Sequence, residues 1–423
     1  MTYDEAIKYI HGVSNFFCKP GLDRIRELCH GLGDPQNALK FIHVTGTNGK
    51  GSVCAMLDSV LRTEGYKVGL FTSPYVREFN ERMRVNGTNI PNDRLAEFTE
   101  RVKTIADKMA DSPTEFELIC AIALLYFKEE NCHIVVLEVG MGGKFDATNI
   151  IQSSLLSIIT GVAIDHTAFL GDTIEQIATE KAGIIKSNSH VLFGGTDRTA
   201  EDIIRDYSRK MQSYFYKTDY SKLNILSSDL SGTVFDYKNR RGLSLSLLGS
   251  YQPMNAAIVL DAIDNLSGIG LNVSEEAIIT GLKSASWPAR FEIIHEDPTV
   301  IFDGAHNPHG VTAATESIKI LGKKVVVLSG VLRDKDYHAI ASSISAVADV
   351  AFTITPDSPR ALGAVEYSRV MSEYGVKATA CNNVSEALEL GMAEASRRQT
   401  ALCCLGSLYT YSAVLDAMEK AMR

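Results

Sequence analysis

The chain of 423 residues alternates short apolar runs with amphipathic stretches. Short apolar runs predict strands, whereas apolar positions spaced by three and four residues predict helices. In the first part of the chain, the predicted strands are 41–44, 68–71, 134–139, 155–160 and 190–193, and the predicted helices are 53–64, 92–111, 115–130 and 174–186. Several of these runs are apolar at every position, as in a parallel sheet that is buried on both faces. The alternation therefore predicts a doubly wound α/β domain.

Residues 214–249 have a different pattern, in which apolar and polar positions alternate over short segments. They predict a β-hairpin insertion or a small antiparallel sheet. A helix is predicted at about 253–265, and a second α/β set begins later, with strands 299–302, 324–330, 350–355 and 400–405 and helices near 308–321, 337–347, 366–374 and 384–397. Trp287-Pro288 is expected to interrupt the chain as a linker. The predicted domains are residues 1–286 and a smaller Rossmann-like α/β domain, residues 287–423.

Composition narrows the class of protein. A net charge of −9 argues against a nucleic-acid binder, which normally carries a basic patch. The first residues lack the pattern of a signal peptide, and no stretch approaches 18 uncharged apolar residues. The eight cysteines show no CxxC spacing, so neither a zinc site nor a thioredoxin-type motif is indicated. We expect a cytoplasmic monomer that binds neither nucleic acid nor membrane.

Residues 45–52, Thr-Gly-Thr-Asn-Gly-Lys-Gly-Ser, stand between the first predicted strand and an amphipathic helix. A helix N-terminus offers unpaired N–H groups and a positive dipole end, and glycines let the backbone approach phosphates. Lys50 is expected to reach the outer phosphates, and Ser52 to bind a phosphate or a metal held by it. The loop is shorter than a standard P-loop, because Gly46 is its first glycine. The segment predicts a nucleotide site.

Polar side chains follow the other predicted strands, at the sheet edge where ligands of such domains bind. Glu138 ends the third strand, and a glycine-rich segment leads from it to Asp146. Because Mg²⁺ takes one or two carboxylates with phosphate oxygens and waters, Glu138 is either a magnesium ligand or a solvated acid in a tight turn. Ser73 follows the second strand and either supplies an oxygen to the metal or prepares the turn at Pro74. His166 follows the fourth strand and is either a ligand or a hydrogen-bonded loop residue.

Basic side chains form a further set of candidates. Arg77, Arg82 and Arg84 cluster in one loop, where they either pair with a substrate carboxylate or face water. Lys181 falls in a predicted helix, where a lysine is usually a solvated charge.

In the second half, the strand 299–302 is followed by Asp303 and His306, and Arg290 lies shortly before it. An acid in this place suits ribose hydroxyls, and the cationic groups suit phosphate. The alternative is a capped helix start, with Asn307 or Asp303 as the cap. The two interpretations are compatible.

These segments resemble the folylpolyglutamate synthase family of the Mur ligase superfamily, whose bacterial members often double as dihydrofolate synthase. The resemblance rests on Gly46 to Ser52, Thr72-Ser73-Pro74, Glu138 to Asn149, Asp165-His166, Glu180 to Lys186, Trp287 to Glu292 and Asp303 to Pro308. It extends over nearly the whole chain, from Pro20 to Tyr409. The phosphate loop is shared by the superfamily, whereas Glu138 to Asn149 and Phe79 to Arg82 are much more specific to the folate branch.

The resemblance implies addition of L-glutamate to the γ-carboxylate of folate, driven by ATP through an acyl phosphate, with dihydropteroate as an additional acceptor. It implies Mg²⁺ and allows a monovalent cation such as K⁺. One alternative is another Mur-type amino-acid ligase, although the loop at Thr45 leaves little chain before it for a UDP-binding domain. The other is a P-loop switch protein that binds ATP without ligase activity. Such a switch needs no second domain that supplies Arg290 and Asp303.

The resemblance also implies roles for individual residues. The expected ATP contacts are Thr47, Asn48, Gly49, Lys50, Gly51, Ser52, Asn255, Arg290, Asp303 and His306. The expected magnesium ligands are Ser73, Glu138 and His166, and the expected substrate contacts are Arg82, Phe116, Glu117 and Asp146. The catalytic set is Lys50, Glu138, His166 and Lys181.

Lys181 matches the family lysine that is carbamylated, which changes a cation into a carboxylate able to support the metal site. Two other positions depart from the family pattern. Tyr251 stands where the family commonly has histidine, and Ala289 stands where glycine is frequent.

Overall fold

The structure is a computed structural model that describes residues 1–13 and 21–421, so Pro20, where the resemblance begins, lies outside the described residues. The chain divides into two compact units. The first comprises Met1–Leu223 and Met254–Ala285, and the second comprises Asn224–Pro253 and Ser286–Arg423. None of the helices in the described ranges has the length and apolar character needed to cross a membrane.

The first unit is built on one sheet of eight strands. These are β1 (Phe41–Thr45), β2 (Val68–Phe71), β3 (Met83–Val85), β4 (Thr88–Asn89), β5 (Ile134–Glu138), β6 (Leu156–Ile159), β7 (His190–Phe193) and β8 (Tyr214–Lys217). The order is β4-β3-β2-β5-β1-β6-β7-β8, with β3 and β4 antiparallel at one edge and the other strands parallel. Because β1 lies between β5 and β6, the loops after these three strands are neighbours.

Ten helices accompany this sheet in the described residues. They are α1 (Tyr3–Gly12), α2 (Asp23–Gly31), α3 (Lys50–Thr63), α4 (Asn92–Ala106), α5 (Glu115–Glu129), α6 (Thr167–Leu170), α7 (Ile174–Ala182), α8 (Arg198–Lys210), α9 (Gln252–Gly268) and α10 (Glu275–Ser284). All residues of β1, β2 and β5 are buried, as expected for strands covered on both faces. The prediction of a doubly wound parallel sheet is confirmed.

The second unit contains two sheets. Strands β9 (Leu223–Asp229), β10 (Gly232–Tyr237) and β11 (Arg240–Leu245) form the smaller one. The larger sheet has the order β12-β13-β17-β14-β15-β16, and its strands are β12 (Glu292–Glu296), β13 (Thr299–Phe302), β14 (Val325–Ser329), β15 (Ala348–Thr353), β16 (Lys377–Ala380) and β17 (Leu402–Leu405). All its pairs are parallel except β12 with β13.

The helices of the second unit are α11 (Pro308–Ile318), α12 (Tyr337–Ser345), α13 (Ala364–Glu373), α14 (Val384–Arg398) and α15 (Tyr411–Ala421). They alternate with the parallel strands, so the prediction of a second α/β domain is confirmed.

Some boundaries differ from the sequence prediction. The three-stranded sheet groups with the second unit, where Leu230 and Leu248 pack against the main core. The predicted helices 92–111 and 174–186 end early, at Ala106 and Ala182. Gly183 follows the second of these helices and packs closely against Lys144. A Cβ at position 183 would lie 2.6 Å from the Cα of Lys144. The domain boundary at 286/287 stays a prediction.

Candidate active site

The phosphate loop turns from the end of β1 into the start of α3. Gly49 has φ +84° and is followed by Lys50, the first residue of α3. A Cβ at Gly46 would lie 1.9 Å from Oγ1 of Thr160, and one at Gly49 would lie 2.6 Å from Oδ1 of Asn255. Both positions therefore require glycine. The predicted nucleotide contact Asn255, on α9, lies directly against the loop.

Hydrogen bonds tie the phosphate loop to the loop after β6. The backbone N–H of Thr47 donates to the carbonyl of Gly161 (2.9 Å), and its hydroxyl donates to the carbonyl of Ala163 (3.1 Å). The hydroxyl of Thr160 donates to the carbonyl of Asn48 (2.6 Å). These bonds fix the backbone of the phosphate loop before any ligand is present.

Lys50 is placed to complete an anion site. Its Nζ donates to the carbonyl of Gly46 (3.0 Å), which folds the side chain over the loop. Ser52 is buried in the first turn of α3. Free N–H groups of a helix N-terminus, a lysine and a hydroxyl are the groups that hold phosphates in nucleotide-binding loops.

The carboxyl ends of β2 and β5 bring Ser73, Glu138 and Arg82 together. The backbone N–H of Ser73 donates to Oε2 of Glu138 (3.1 Å). Oγ of Ser73 accepts a hydrogen bond from Nη1 of Arg82 (2.9 Å), whose guanidinium lies 5.0 Å from the ring centroid of Tyr75. Arg82 and Glu138 are both buried, so the interpretations of a solvated acid and of a solvated arginine are wrong for these two residues.

These oxygens fit a magnesium ion that is held mainly by its substrate. Within the part of the chain that the structure describes, no group of three or more His, Cys, Asp or Glu side chains surrounds a common metal position. Mg²⁺ does not need such a cage, because it usually keeps several waters and binds one or two carboxylates with phosphate oxygens. Glu138 and Ser73 supply a carboxylate and a hydroxyl at one place. His166 is exposed, with Nε2 at 3.9 Å from Oδ2 of Asp165.

Lys181, on α7, is buried, so the interpretation of a solvated lysine is wrong. Burial, and after it the positive charge of Lys50, lower the pKa of its amine from 10.5 to about 7. Asp165 and Asp146 act in the opposite direction but do not restore the ordinary value. The structure thus brings Lys181 within electrostatic reach of two other candidate-site residues, Lys50 and Asp146, and a large neutral fraction of its amine is present near pH 7.

Asp146 is buried in the loop after β5. Its Oδ1 accepts from the backbone N–H (3.0 Å) and the hydroxyl (2.6 Å) of Thr148, and its Oδ2 accepts from the N–H of Met141 (2.9 Å). Burial raises the pKa of this carboxyl, although its hydrogen bonds to Thr148, Met141 and the backbone of Gly140 oppose the rise. Phe116 lies across the same loop, since a Cβ at Gly140 would be 2.5 Å from its ring.

Glu117 stabilises the start of α5. Its Oε2 accepts from the backbone N–H of Thr114 (2.7 Å) in the capping box of α5 and from Nε of Arg24 (3.0 Å). Arg24 was not singled out in the sequence, because it lies 93 residues away on α2 and only the fold brings the two together.

In the second unit, Asp303 is buried after β13 and held by three donors. The Tyr251 hydroxyl (2.6 Å) and the N–H of Phe291 (3.0 Å) donate to Oδ2, and the N–H of Ala305 (2.8 Å) donates to Oδ1. Burial raises the pKa of Asp303, and the charge of Arg290 opposes the rise. The tyrosine that replaces the usual histidine is therefore a direct partner of the predicted nucleotide contact.

Neighbouring residues explain two further sequence observations. Ala289 has φ +58°, a left-handed conformation that glycine adopts most easily, which agrees with the glycine that the resemblance implies at this position. Asn307 caps α11 by accepting from the N–H of Gly310 (2.7 Å), so the capping interpretation is confirmed for Asn307. Nδ1 of His306 lies 2.9 Å from the carbonyl oxygen of Gly304.

Comparison with known proteins places this arrangement in context. Residues 44–263 match the Mur ligase middle domain, and residues 289–408 match the Mur ligase glutamate ligase domain. The chain is 36% identical to a dihydrofolate synthase/folylpolyglutamate synthase of Bacillus subtilis, over 85% of this chain and 86% of that protein. It is 33% identical to a folylpolyglutamate synthase of Lacticaseibacillus casei, over 99% of each. Its structure matches E. coli FolC in complex with DHPP and ADP with a TM-score of 0.89, at 30% identity, covering 100% of this chain and 99% of that chain.

Proposed function

This chain belongs to the folylpolyglutamate synthase/dihydrofolate synthase family of Mur ligases, and we propose that it uses ATP to join L-glutamate to the γ-carboxylate of a folate and to dihydropteroate. The observation that carries the proposal is the phosphate loop of Gly46 to Ser52 beside the Ser73–Glu138 pair. A loop of the type that binds phosphate therefore lies next to a carboxylate on one edge of the sheet, which supports the proposal. We further expect a cytoplasmic monomer.

The chemistry follows from the poor reactivity of a carboxylate. An oxygen of the acceptor carboxylate attacks the γ-phosphorus of ATP, ADP leaves, and an acyl phosphate results. The deprotonated amine of glutamate then attacks the acyl carbon, the C–O bond to phosphate breaks, and phosphate leaves. Lys50 stabilises the charge on the transferred phosphoryl group, as positioned cations do in phosphoryl transfer. The fixed loop backbone holds the phosphates in line for the attack.

Glu138 and Ser73 would hold Mg²⁺, with His166 as the further predicted ligand. When bound, the ion would neutralise negative charge on the phosphates. In the second unit, we assign Arg290, Asp303 and His306 to the nucleotide. In the first unit, we assign the remaining predicted phosphate contacts, residues 47–52, and Asn255 to it as well.

The acceptor would meet Arg82, Phe116 and Asp146. A guanidinium suits a carboxylate, an aromatic ring suits the flat face of a pterin, and a buried carboxylate suits its N–H groups. Glu117 supports this region through the start of α5.

Lys181 would be carbamylated. Its neutral amine attacks the carbon of CO₂ and releases one proton, which leaves a carboxylate on the side chain. The burial of Lys181 and its pKa of about 7 support this step, because only the neutral amine reacts.

The experiment measures ADP release with dihydropteroate or tetrahydrofolate as acceptor, each with and without L-glutamate. We expect release that depends on both an acceptor and glutamate, and the ratio of the two acceptors shows whether both activities are present. ADP release that is independent of acceptor and glutamate would contradict the proposal and favour the switch protein. Dependence on a different amino acid would favour another Mur-type ligase.

A further inference from the structure

We propose that His43 and Thr148 are positioning residues that orient the carboxylate of Asp146 for the acceptor substrate. The inference rests on the proposed function, because it takes Asp146 as a contact to the pterin ring. Neither His43 nor Thr148 is expected to touch the substrate. Their effect passes through a chain of hydrogen bonds.

The chain of bonds is short and shielded from water. Nε2 of His43 lies 2.9 Å from Oγ1 of Thr148, and Oγ1 of Thr148 donates to Oδ1 of Asp146 at 2.6 Å. The relative exposures of His43, Thr148 and Asp146 are 0%, 1% and 8%. Since a buried polar group without a partner loses its hydration uncompensated, such bonds hold their members in one arrangement.

The donors and acceptors admit one direction along this chain. The Thr148 hydroxyl has one hydrogen and donates it to Oδ1 of Asp146, which also accepts from the backbone N–H of Thr148. The hydroxyl oxygen must then accept from His43, which requires the neutral tautomer with hydrogen on Nε2. Burial lowers the pKa of His43 well below its ordinary value, and the charge of Lys186 adds to this, so the ring is neutral. Nδ1 of His43 has no hydrogen-bond partner within residues 1–13 and 21–421, which agrees with hydrogen on Nε2.

A second side chain of β1 holds the same loop. The hydroxyl of Thr45 donates to the carbonyl of Gly142 at 2.7 Å, one residue beyond Met141, whose N–H donates to Oδ2 of Asp146. His43 and Thr45 are two residues apart and therefore point to the same face of the strand. The strand that leads into the phosphate loop thus supports both oxygens of Asp146 indirectly, Oδ1 through Thr148 and Oδ2 through the backbone of residues 141–142.

The test uses Thr148→Val, which keeps the shape and removes the hydroxyl, and Thr148→Ser as the matched control that keeps it. Because a hydrogen bond to a charged group contributes on the order of 1.5–3 kcal/mol, we expect Thr148→Val to raise KM for dihydropteroate and tetrahydrofolate roughly tenfold. KM of Thr148→Val for ATP should stay within about twofold of that of the original protein. For Thr148→Ser, KM for the acceptor and KM for ATP should both stay within the same range. A purely structural loosening would instead change both KM values.

His43 is tested with His43→Leu and with His43→Gln, whose amide N–H can replace Nε2–H. We expect His43→Leu to raise the acceptor KM about threefold and His43→Gln to restore part of the loss. In the Thr148→Val background, His43→Leu should have no further effect, because the chain is already broken. Additive effects of the two changes, or equal increases in both KM values, would overturn the inference.

A measurement on the unmodified protein keeps the test independent of folding and of activity. Nitrogen NMR of the imidazole, assigned by comparison with His43→Gln, should show hydrogen on Nε2 and none on Nδ1. Hydrogen on Nδ1 would overturn the inference. If the unmodified protein shows the expected tautomer but no acceptor-dependent ADP release, the proposed function fails while the hydrogen-bond chain stands.

Discussion

The buried amine of Lys181 makes the stability of this protein depend on pH in a direction that the structure sets. The perturbation is Lys181→Met, which removes the ionisable group and keeps a similar length. In the folded state the pKa of Lys181 is about 7, against 10.5 for an ordinary lysine. Between these values the unfolded chain binds more protons than the folded one, so the free energy of unfolding rises with pH. Below pH 7 both states are protonated, and this stabilisation is lost.

The magnitude follows from the same two values. Lowering the pKa from 10.5 to about 7 corresponds to about 5 kcal/mol between the two protonation states. Over the accessible window from pH 7 to pH 9, the contribution of Lys181 to the free energy of unfolding should rise by roughly 2 kcal/mol. Lys181→Met has no such contribution, so it should be more stable relative to the original protein at pH 7 than at pH 9.

The assay is urea unfolding followed by circular dichroism at pH 7, 8 and 9, in buffer freed of CO₂ so that the amine stays unmodified. The free energy of unfolding of Lys181→Met, minus that of the original protein, should fall by roughly 2 kcal/mol from pH 7 to pH 9. Lys8→Met, at an exposed position of α1, is the matched control for loss of one lysine. A difference that stays constant with pH would refute the reasoning. It would also remove the physical basis for carbamylation.

Three further predictions concern other parts of the chain. Lys50→Ala should lower ADP formation by about 100-fold or more while leaving the circular dichroism spectrum unchanged, and near-normal turnover would contradict the role of the phosphate loop. Tyr251→Phe should raise KM for ATP about threefold to tenfold because Asp303 loses its 2.6 Å bond, and Tyr251→His should restore most of it; unchanged ATP kinetics in Tyr251→Phe would exclude this positioning. Gly281→Ala should destabilise the protein by about 2 kcal/mol in urea unfolding, since its Cβ would lie 2.5 Å from a backbone Cα of α3, whereas Gly268→Ala, with open space around it, should not; equal stabilities would show that α10 yields without cost.

Much of the fold follows from local pattern, because fully apolar runs such as 134–137 leave few alternatives to a buried strand. The strands that the local sequence pattern does not predict lie at sheet edges or are very short. The β16 strand, Lys377–Ala380, alternates exposed and half-buried residues, and β4 has two residues. Such segments owe their conformation to a neighbouring strand, which the local sequence does not reveal.

The candidate site was partly predictable for a similar reason. The carboxyl ends of parallel strands meet at one edge, so the closeness of Ser73 and Glu138 was expected and is confirmed. The partners of buried acids were not, since Tyr251 lies 52 residues from Asp303 and His43 lies 105 residues from Thr148. Their contacts depend on strand register and loop path, which only the folded structure defines. The catalytic and binding roles of these residues stay predictions.

The left-handed backbone conformation at Ala289 affects how the neighbouring Arg290 would bind a ligand. Phe291, two residues later, also has a positive φ of +48°, so Arg290 stands between two residues in uncommon backbone conformations. Alanine is strained at a positive φ, whereas glycine is not, so the rest of the folded structure has to offset the cost of this backbone conformation at position 289. Nη1 of Arg290 donates to the carbonyl of Ala289 (3.2 Å), which ties the guanidinium to that backbone. A guanidinium held in this way is already oriented before an anion binds. It therefore favours anions that fit its position, because the side chain does not move to fit the anion.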